Sequence, residues 1–142
     1  MVNLLTGPKG SGKTQQMIEL ANEKVKTSNG NVVLIKKSHR DTLTLDFDVR
    51  AICMADYPNI ETLEEFVGFI YGMVAGNHDI ETVFIDGILK QANININSLP
   101  DFLDKLNNIS KENNIDFYIS VSVDKNEIGD TYLNSADFAF LN

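Results

Sequence analysis

Short runs of valine, leucine and isoleucine alternate along the chain with stretches in which apolar residues recur every three or four positions. The continuous runs are typical of strands buried on both faces of a parallel sheet, and the second spacing is typical of helices. Their alternation predicts an α/β fold, a three-layer sandwich with a mostly parallel central sheet of five to six strands. The length of 142 residues indicates a single domain, residues 1–142.

Six segments have the composition of strands. They are Val2–Thr6, Asn31–Lys36, Arg50–Ala55, Thr82–Asp86, Phe117–Val123 and Ala136–Leu141, the last predicted at one edge of the sheet. Pro58 follows the third strand and lacks a backbone donor, which is consistent with a strand end there. Residues Ile88–Asn97 fit neither the strand pattern nor the helix pattern.

Three segments have helical periodicity. The first is Lys13–Ser28, closed by Gly30. In the second, Thr62 and Glu65 predict a capping box before an apolar stripe that runs to Gly76. We expect Ser98 to cap the third, whose apolar positions are Phe102, Leu103, Leu106 and Ile109.

Composition narrows the classes of function. No apolar run approaches the roughly 20 residues that cross a bilayer, and the N-terminus lacks the pattern of a secretory signal. We therefore expect a cytoplasmic protein without a membrane partner. The net charge of −8 argues against a broad basic face and so against nucleic acid as a partner. One basic segment, IKKSHR, nevertheless gathers Lys36, Lys37, His39 and Arg40.

Cysteine and histidine give no metal signature. Cys53 is the single cysteine and lies in the apolar run AICMA, which excludes an intramolecular disulfide and argues against a cysteine-based metal cluster. We expect a buried, inert thiol. His39 and His78 are not spaced as metal ligands, and we expect both at the surface or in turns.

Residues Gly7–Thr14 match the phosphate-binding pattern G-x-x-x-x-G-K-[ST] in full, between a predicted strand and a predicted helix. Glycines there let backbone N–H groups turn toward phosphate oxygens, and the helix N-terminus adds positive potential. We expect Lys13 to reach the β- and γ-phosphates of a nucleoside triphosphate, whereas Lys9 either touches phosphate or faces solvent. The expected nucleotide-binding residues are Gly7, Pro8, Lys9, Gly10, Ser11, Gly12, Lys13, Thr14 and Gln15.

A magnesium ion beside these phosphates needs a hydroxyl from the loop and a carboxylate at the end of a neighbouring buried strand. Thr14 supplies the hydroxyl, and Asp86 follows the apolar run TVFI. We therefore expect Thr14 and Asp86 to hold Mg²⁺, Asp86 through water, and Lys13 and Asp86 to be catalytic. The alternative is that Asp86 only caps a turn at the strand end.

The Gly7–Thr14 motif together with Asp86 resembles the P-loop NTPase superfamily, and the order of elements is most similar to its compact RecA-like branch. The resemblance implies ATP and Mg²⁺ as ligands. It also implies a polar strand between the strand that enters the loop and the strand that carries the aspartate. ISVSV would be that strand; Ser120 and Ser122 either bond to backbone or, in the case of Ser122, sense the γ-phosphate.

The opening also resembles bacterial type II thymidine kinases, with departures. Those kinases and most RecA-like ATPases place a catalytic glutamate directly after the aspartate, where this chain has Gly87. It also lacks their cysteine cluster for a structural zinc and their nucleoside-clamping segment near the C-terminus. Asp56 and Arg40, each beyond a predicted strand end, are candidate catalytic replacements. A turn aspartate and a solvated arginine are the simpler interpretations of these two residues.

Three functions stay open. The first is an ATP-binding protein with slow ATPase activity, or one activated by a protein partner or a second copy of the chain. The second is a nucleoside-type kinase with an acceptor pocket formed by Asp56, the turn at 38–41 and Ile88–Asn97. The third is a non-enzymatic switch whose nucleotide orders the KKSHRD or GILKQ loop. Adenine is the preferred base, because Asp124–Glu127 departs from the guanine-specific pattern at both key residues.

Overall fold

Six strands form one sheet in the computed structural model, which describes residues 1–40 and 44–141. The strands are β1 (Val2–Thr6), β2 (Asn31–Lys36), β3 (Arg50–Cys53), β4 (Ile80–Ile85), β5 (Asp116–Val121) and β6 (Phe138–Phe140). Their order is β3-β2-β4-β5-β1-β6, and every neighbouring pair is parallel. The predicted sheet of five to six strands is confirmed, with β6 at an edge as expected.

Five α-helices connect or follow the strands in the described part of the chain. They are α1 (Lys13–Thr27), α2 (Leu63–Gly76), α3 (Leu99–Asn113), α4 (Lys125–Ile128) and α5 (Asp130–Leu133). Short 3₁₀ turns follow β3 at Met54–Asp56 and β4 at Ile88–Lys90. None of the helices among the described residues is long and apolar enough to cross a membrane.

The sheet is covered on both faces, which gives the three-layer sandwich that the alternating pattern predicts. Alternate strand residues face α2 and α3 on one side, where Phe66, Ile70, Phe102 and Leu106 are fully buried. The intervening strand residues face α1 on the other side, where the buried helix residues are Met17, Ile18 and Ala21. Strands buried on both faces explain the continuous apolar runs of the sequence.

The predicted capping box at the start of α2 is confirmed. Glu65 N donates to Thr62 Oγ1 and Thr62 N donates to Glu65 Oε1, each at 3.1 Å. Hydrogen bonds from the Glu61 backbone and from Thr62 lower the pKa of the Glu65 carboxyl, because they stabilise its charged form. The cap fixes where the apolar stripe of α2 begins and so which face meets the sheet.

Several predicted details are wrong. Ser98 is the N-cap residue of α3 as predicted, but its side chain does not bond to a helix amide; its hydroxyl accepts from Asn95 N at 2.9 Å and donates to Asn95 O. β3 ends at Cys53 because the chain turns into a 3₁₀ helix there, and β5 ends at Val121. The sequence analysis also missed α4 and α5, which are each four residues long and too short to show a period.

The position of β5 determines the geometry of the site. β5 pairs with β1 on one side and with β4 on the other, so it separates the strand before the Gly7–Thr14 loop from the strand before Asp86. That is the inserted position expected for ISVSV. Because all strands are parallel, the C-terminal ends of β1, β2, β4 and β5 meet at one edge of the sheet.

Candidate phosphate-binding site

The loop between β1 and α1 takes a conformation that needs glycine. Gly10 and Gly12 have φ of 84° and 87°, in the left-handed region that other residues rarely adopt. A Cβ atom built on either residue meets nothing within 4 Å, so these positions border open space. The first intrahelical bond of α1 runs from Gln16 N to Gly12 O, and the helix amides before it have no intrahelical acceptor. The loop is therefore a concave surface suited to an anion.

Lys13 lies inside this loop and is only 7% exposed. Its Nζ donates to Gly7 O at 2.9 Å, to Pro8 O at 2.8 Å and to Ser11 Oγ at 3.3 Å. Burial lowers the pKa of the Lys13 ammonium, the negative charge of Asp86 opposes that shift, and the positive charge of Lys90 adds to it. An anion bound beside Lys13 would stabilise the charged ammonium.

Asp86 directly follows β4 and is held by two hydroxyl groups. Thr14 Oγ1 donates to Asp86 Oδ2 at 3.0 Å, and Ser120 Oγ donates to Asp86 Oδ1 at 2.8 Å. Ser120 Oγ also accepts from Gly87 N at 2.7 Å. The buried Gln91 amide donates to Asp86 O at 3.3 Å. These bonds fix the carboxylate beside the hydroxyl of the loop threonine.

A cavity of about 600 Å³ opens above the loop and the strand ends. Six cationic residues line it: Lys9, Lys13, Lys36, Lys37, Arg40 and Lys90. Asp86 is the one carboxylate residue among its described lining residues. The chain has 12 lysines and arginines against 20 aspartates and glutamates, so half of its cations gather at this one cavity. Such a lining favours a ligand with several negative charges.

Lys36 is the most deeply buried of these six cations. It ends β2, is 5% exposed and lines the cavity together with Thr14 and Asp86. The ion pairs found between described residues do not include it. Burying a lysine without a paired anion is unfavourable, so a bound anion near Lys36 would offset part of that cost.

Most of the predicted site residues meet here. Lys9, Gly10, Gly12, Lys13, Thr14, Gln15, Arg40 and Asp86 line the cavity, and Gly7, Pro8 and Ser11 contact the Lys13 ammonium. Asp56 does not line it; Asp56 Oδ1 lies 2.9 Å from His39 Nε2 instead. Asp41, part of the predicted acceptor turn, lies outside the described residues.

Sequence reasoning missed several lining residues. Lys36 and Lys37 were recognisable as part of a basic segment, and their position at the end of a predicted strand was the signal that could have assigned them to the site. Lys90 lies on the 3₁₀ turn of a segment whose pattern was neither helix nor strand. Ser120 and Ser122 both line the cavity, and of the two it is Ser120 whose hydroxyl donates to the Asp86 carboxylate.

A second cavity of about 360 Å³ adjoins the first, and the two share Lys37 and Lys90. The remaining lining residues are Met54, Ala55, Pro58, Ile60, Glu61, Phe66, Gln91, Ala92 and Asn93. This cavity contains part of the segment Ile88–Asn97 that we expected around an acceptor. Asp56 and Arg40 are not among its lining residues; Arg40 lines the first cavity instead, and Asp56 lines neither.

Neither the comparison with protein-family models nor the search of curated proteins found a match to this chain.

Proposed function

We propose that the chain binds ATP together with Mg²⁺ at the Gly7–Thr14 loop and hydrolyses it slowly, or only when a protein partner or a second copy of the chain activates it. One observation supports this most: Thr14 and Asp86 lie in direct contact, 3.0 Å apart, beside a buried lysine in a cavity lined by six cations. The fold order and the motif, which resemble RecA-like P-loop NTPases, agree with it.

The donor set at Thr14 and Asp86 fits magnesium. Mg²⁺ prefers oxygen ligands and commonly keeps waters between itself and one or two protein groups. Thr14 would hold it through the hydroxyl and Asp86 through water, while Ser120 keeps the carboxylate in place. When bound, the ion neutralises the negative charge of the phosphate oxygens. Lys13 and Lys36 would add fixed positive charge next to those oxygens.

Slow turnover is expected from the residues around Asp86. Gly87 occupies the next position, and its N–H is committed to Ser120. The described lining of the cavity contains no second carboxylate that could take a proton from water. Arg40 lines the cavity but is exposed. Groups that position water and arginine fingers accelerate phosphoryl transfer by about 10³- to 10⁵-fold, so a partner that supplied them would activate the chain.

Replacing Asp86 with asparagine tests the metal part of the proposal. We expect the wild type to bind ATP more tightly with Mg²⁺ than in a chelator, and D86N to lose most of that gain, about tenfold or more. Isothermal titration with ATP, ADP, GTP and GDP, with and without Mg²⁺, measures this gain and the base preference together. Asp48→Asn, an exposed carboxylate outside the cavity, is the matched control.

Two outcomes of that titration would contradict the proposal. If D86N keeps the full magnesium gain, Asp86 is not the metal partner. If none of the four nucleotides binds to wild type, the loop does not serve a nucleotide. Phosphate release by the isolated chain well above ordinary ATPase background would contradict slow intrinsic turnover.

The second cavity favours a kinase as the runner-up function. It adjoins the phosphate cavity through Lys37 and Lys90, and its lining combines apolar side chains with Glu61 and Asn93. An acceptor there would lie next to the terminal phosphate, as phosphoryl transfer requires.

A nucleoside panel tests the kinase hypothesis. One nucleoside should become phosphorylated in the presence of ATP, as detected by mass spectrometry. Glu61→Ala should lower that transfer without weakening ATP binding, because Glu61 lines only the second of the two cavities. Absence of any phosphorylated product across the panel removes this function.

A further inference from the structure

Three side chains with different donor atoms converge where β2 and β3 end. Ligand atoms of His39, Cys53 and Asp56 all lie within 4.8 Å of one another. The two strands are parallel neighbours, with Lys36 opposite Cys53, so their C-terminal extensions run side by side. The three residues are spread over 18 positions of sequence, and only this pairing brings them together. The sequence analysis expected a buried, inert thiol and a histidine at the surface or in a turn, and did not foresee the cluster.

We propose that His39, Cys53 and Asp56 form a binding site for a divalent transition metal of the zinc class. An imidazole nitrogen, a thiolate sulfur and a carboxylate oxygen are all established ligands of zinc and cobalt. Calcium and magnesium prefer oxygen ligands alone, so this donor set selects against them. Three protein ligands leave a fourth tetrahedral position for water or for a ligand oxygen.

The geometry requires only small side-chain rotations. With zinc–ligand bonds of about 2.0–2.3 Å, ligand atoms in a tetrahedral site lie roughly 3.3–3.8 Å apart. The side chains of His39 and Asp56 are 69% and 53% exposed, so both can rotate toward a shared ion. Cys53 is buried, and its sulfur is the fixed point of the site. His39 Nε2 and Asp56 Oδ1 already lie 2.9 Å apart.

Backbone contacts hold the fixed part of the cluster in place. Cys53 Sγ lies 3.6 Å from Lys37 O, and the same carbonyl accepts from Ala55 N at 3.1 Å. Metal binding would displace the thiol proton to solvent, and the resulting thiolate together with the Asp56 carboxylate balances the two positive charges of the ion. The occupied site is therefore neutral overall, and binding replaces one proton with a divalent ion, a change of one positive charge.

The three residues lie outside the phosphate cavity, although Ser38 and Arg40 on either side of His39 line it, and the inference goes beyond the proposed nucleotide function. None of the three residues lines either cavity. Lys37, Met54 and Ala55, which adjoin the cluster along the chain, do line the second cavity. A metal here would cross-link the ends of β2 and β3 beside that cavity and stabilise their relative position.

Cobalt(II) titration of tag-free protein tests the site. Because Cys53 is the only cysteine, a thiolate-to-cobalt charge-transfer band in the near ultraviolet can only arise from this residue. We expect one cobalt ion to bind and to produce that band. Zinc should displace the cobalt, and Cys53→Ser should abolish the band. His39→Ala and Asp56→Asn should each weaken zinc binding by at least about tenfold, since even supporting groups of metal ligands are worth that much.

His78→Ala is the matched control, because His78 is the only other histidine and does not belong to the cluster. It should bind cobalt and zinc as the wild type does. A cobalt complex without the charge-transfer band, or unchanged zinc affinity in H39A and D56N, would overturn the proposal. Both of those variants alter exposed side chains, so the test does not depend on whether C53S folds. Nucleotide titrations of C53S and D56N report the phosphate site separately, because neither residue nor its chain neighbours line that cavity.

Discussion

Replacing Lys13 with alanine is expected to weaken ATP binding by at least about 30-fold, since removing one partner of a buried, hydrogen-bonded charge pair costs about 2–5 kcal/mol. Lys13 is nearly fully buried, and its ammonium lies among the carbonyls of the loop that would surround the phosphates. Isothermal titration with Mg²⁺ and ATP measures the loss. The fold should persist, because the hydrogen bonds of the Lys13 ammonium go to the loop itself and to no strand or other helix.

Lys26→Ala is the matched control for that experiment. It removes the same side chain from the exposed end of α1, outside the cavity. We expect its ATP affinity to equal that of the wild type. Equal affinities for wild type and K13A, with both proteins folded by circular dichroism, would refute a phosphate-binding role for the loop.

The largest loss of stability is expected from Phe102→Ala. Phe102 is fully buried between α3 and the sheet, and its ring packs edge-on against Phe66 with centroids 5.8 Å apart. Truncating a buried phenylalanine costs about 3–5 kcal/mol, a large fraction of the roughly 5–15 kcal/mol by which domains are stable. Urea unfolding followed by circular dichroism should give a much lower midpoint with a similar slope.

Phe47→Ala provides the comparison, because Phe47 is 100% exposed. Its free energy of unfolding should stay within about 0.5 kcal/mol of the wild type. Similar losses in the two variants would mean that the layer formed by α2 and α3 does not carry the stability that its packing indicates.

Much of the fold could be predicted because strands buried on both faces leave continuous apolar runs. β2 has the predicted bounds, and β4 differs from the prediction by two residues at its start and one at its end. Strand ends that depend on tertiary contacts could not be predicted from apolar runs. β3 stops at Cys53 where the chain turns toward the Lys37 carbonyl, a contact between distant parts of the sequence.

The candidate site also has a part that the sequence could predict and a part that it could not. The Gly7–Thr14 motif and Asp86 could be found because their spacing and flanking strands are local properties of the sequence. The contribution of Ser120 to the Asp86 carboxylate depends on β5 lying between β1 and β4, which the resemblance implied but spacing alone does not dictate. The meeting of His39 with Cys53 depends on the pairing of β2 with β3, and no local pattern signals it.

The concentration of lysine and arginine at one cavity makes the rest of the protein more acidic than its net charge of −8 indicates. A long polyanion bound at the cavity would also extend over the rest of the surface, whose net charge is negative. A short one, such as a single triphosphate, can enter without touching it. If the proposed function holds, we expect this charge distribution to act as a length filter that favours compact anions over extended ones such as nucleic acid at this opening.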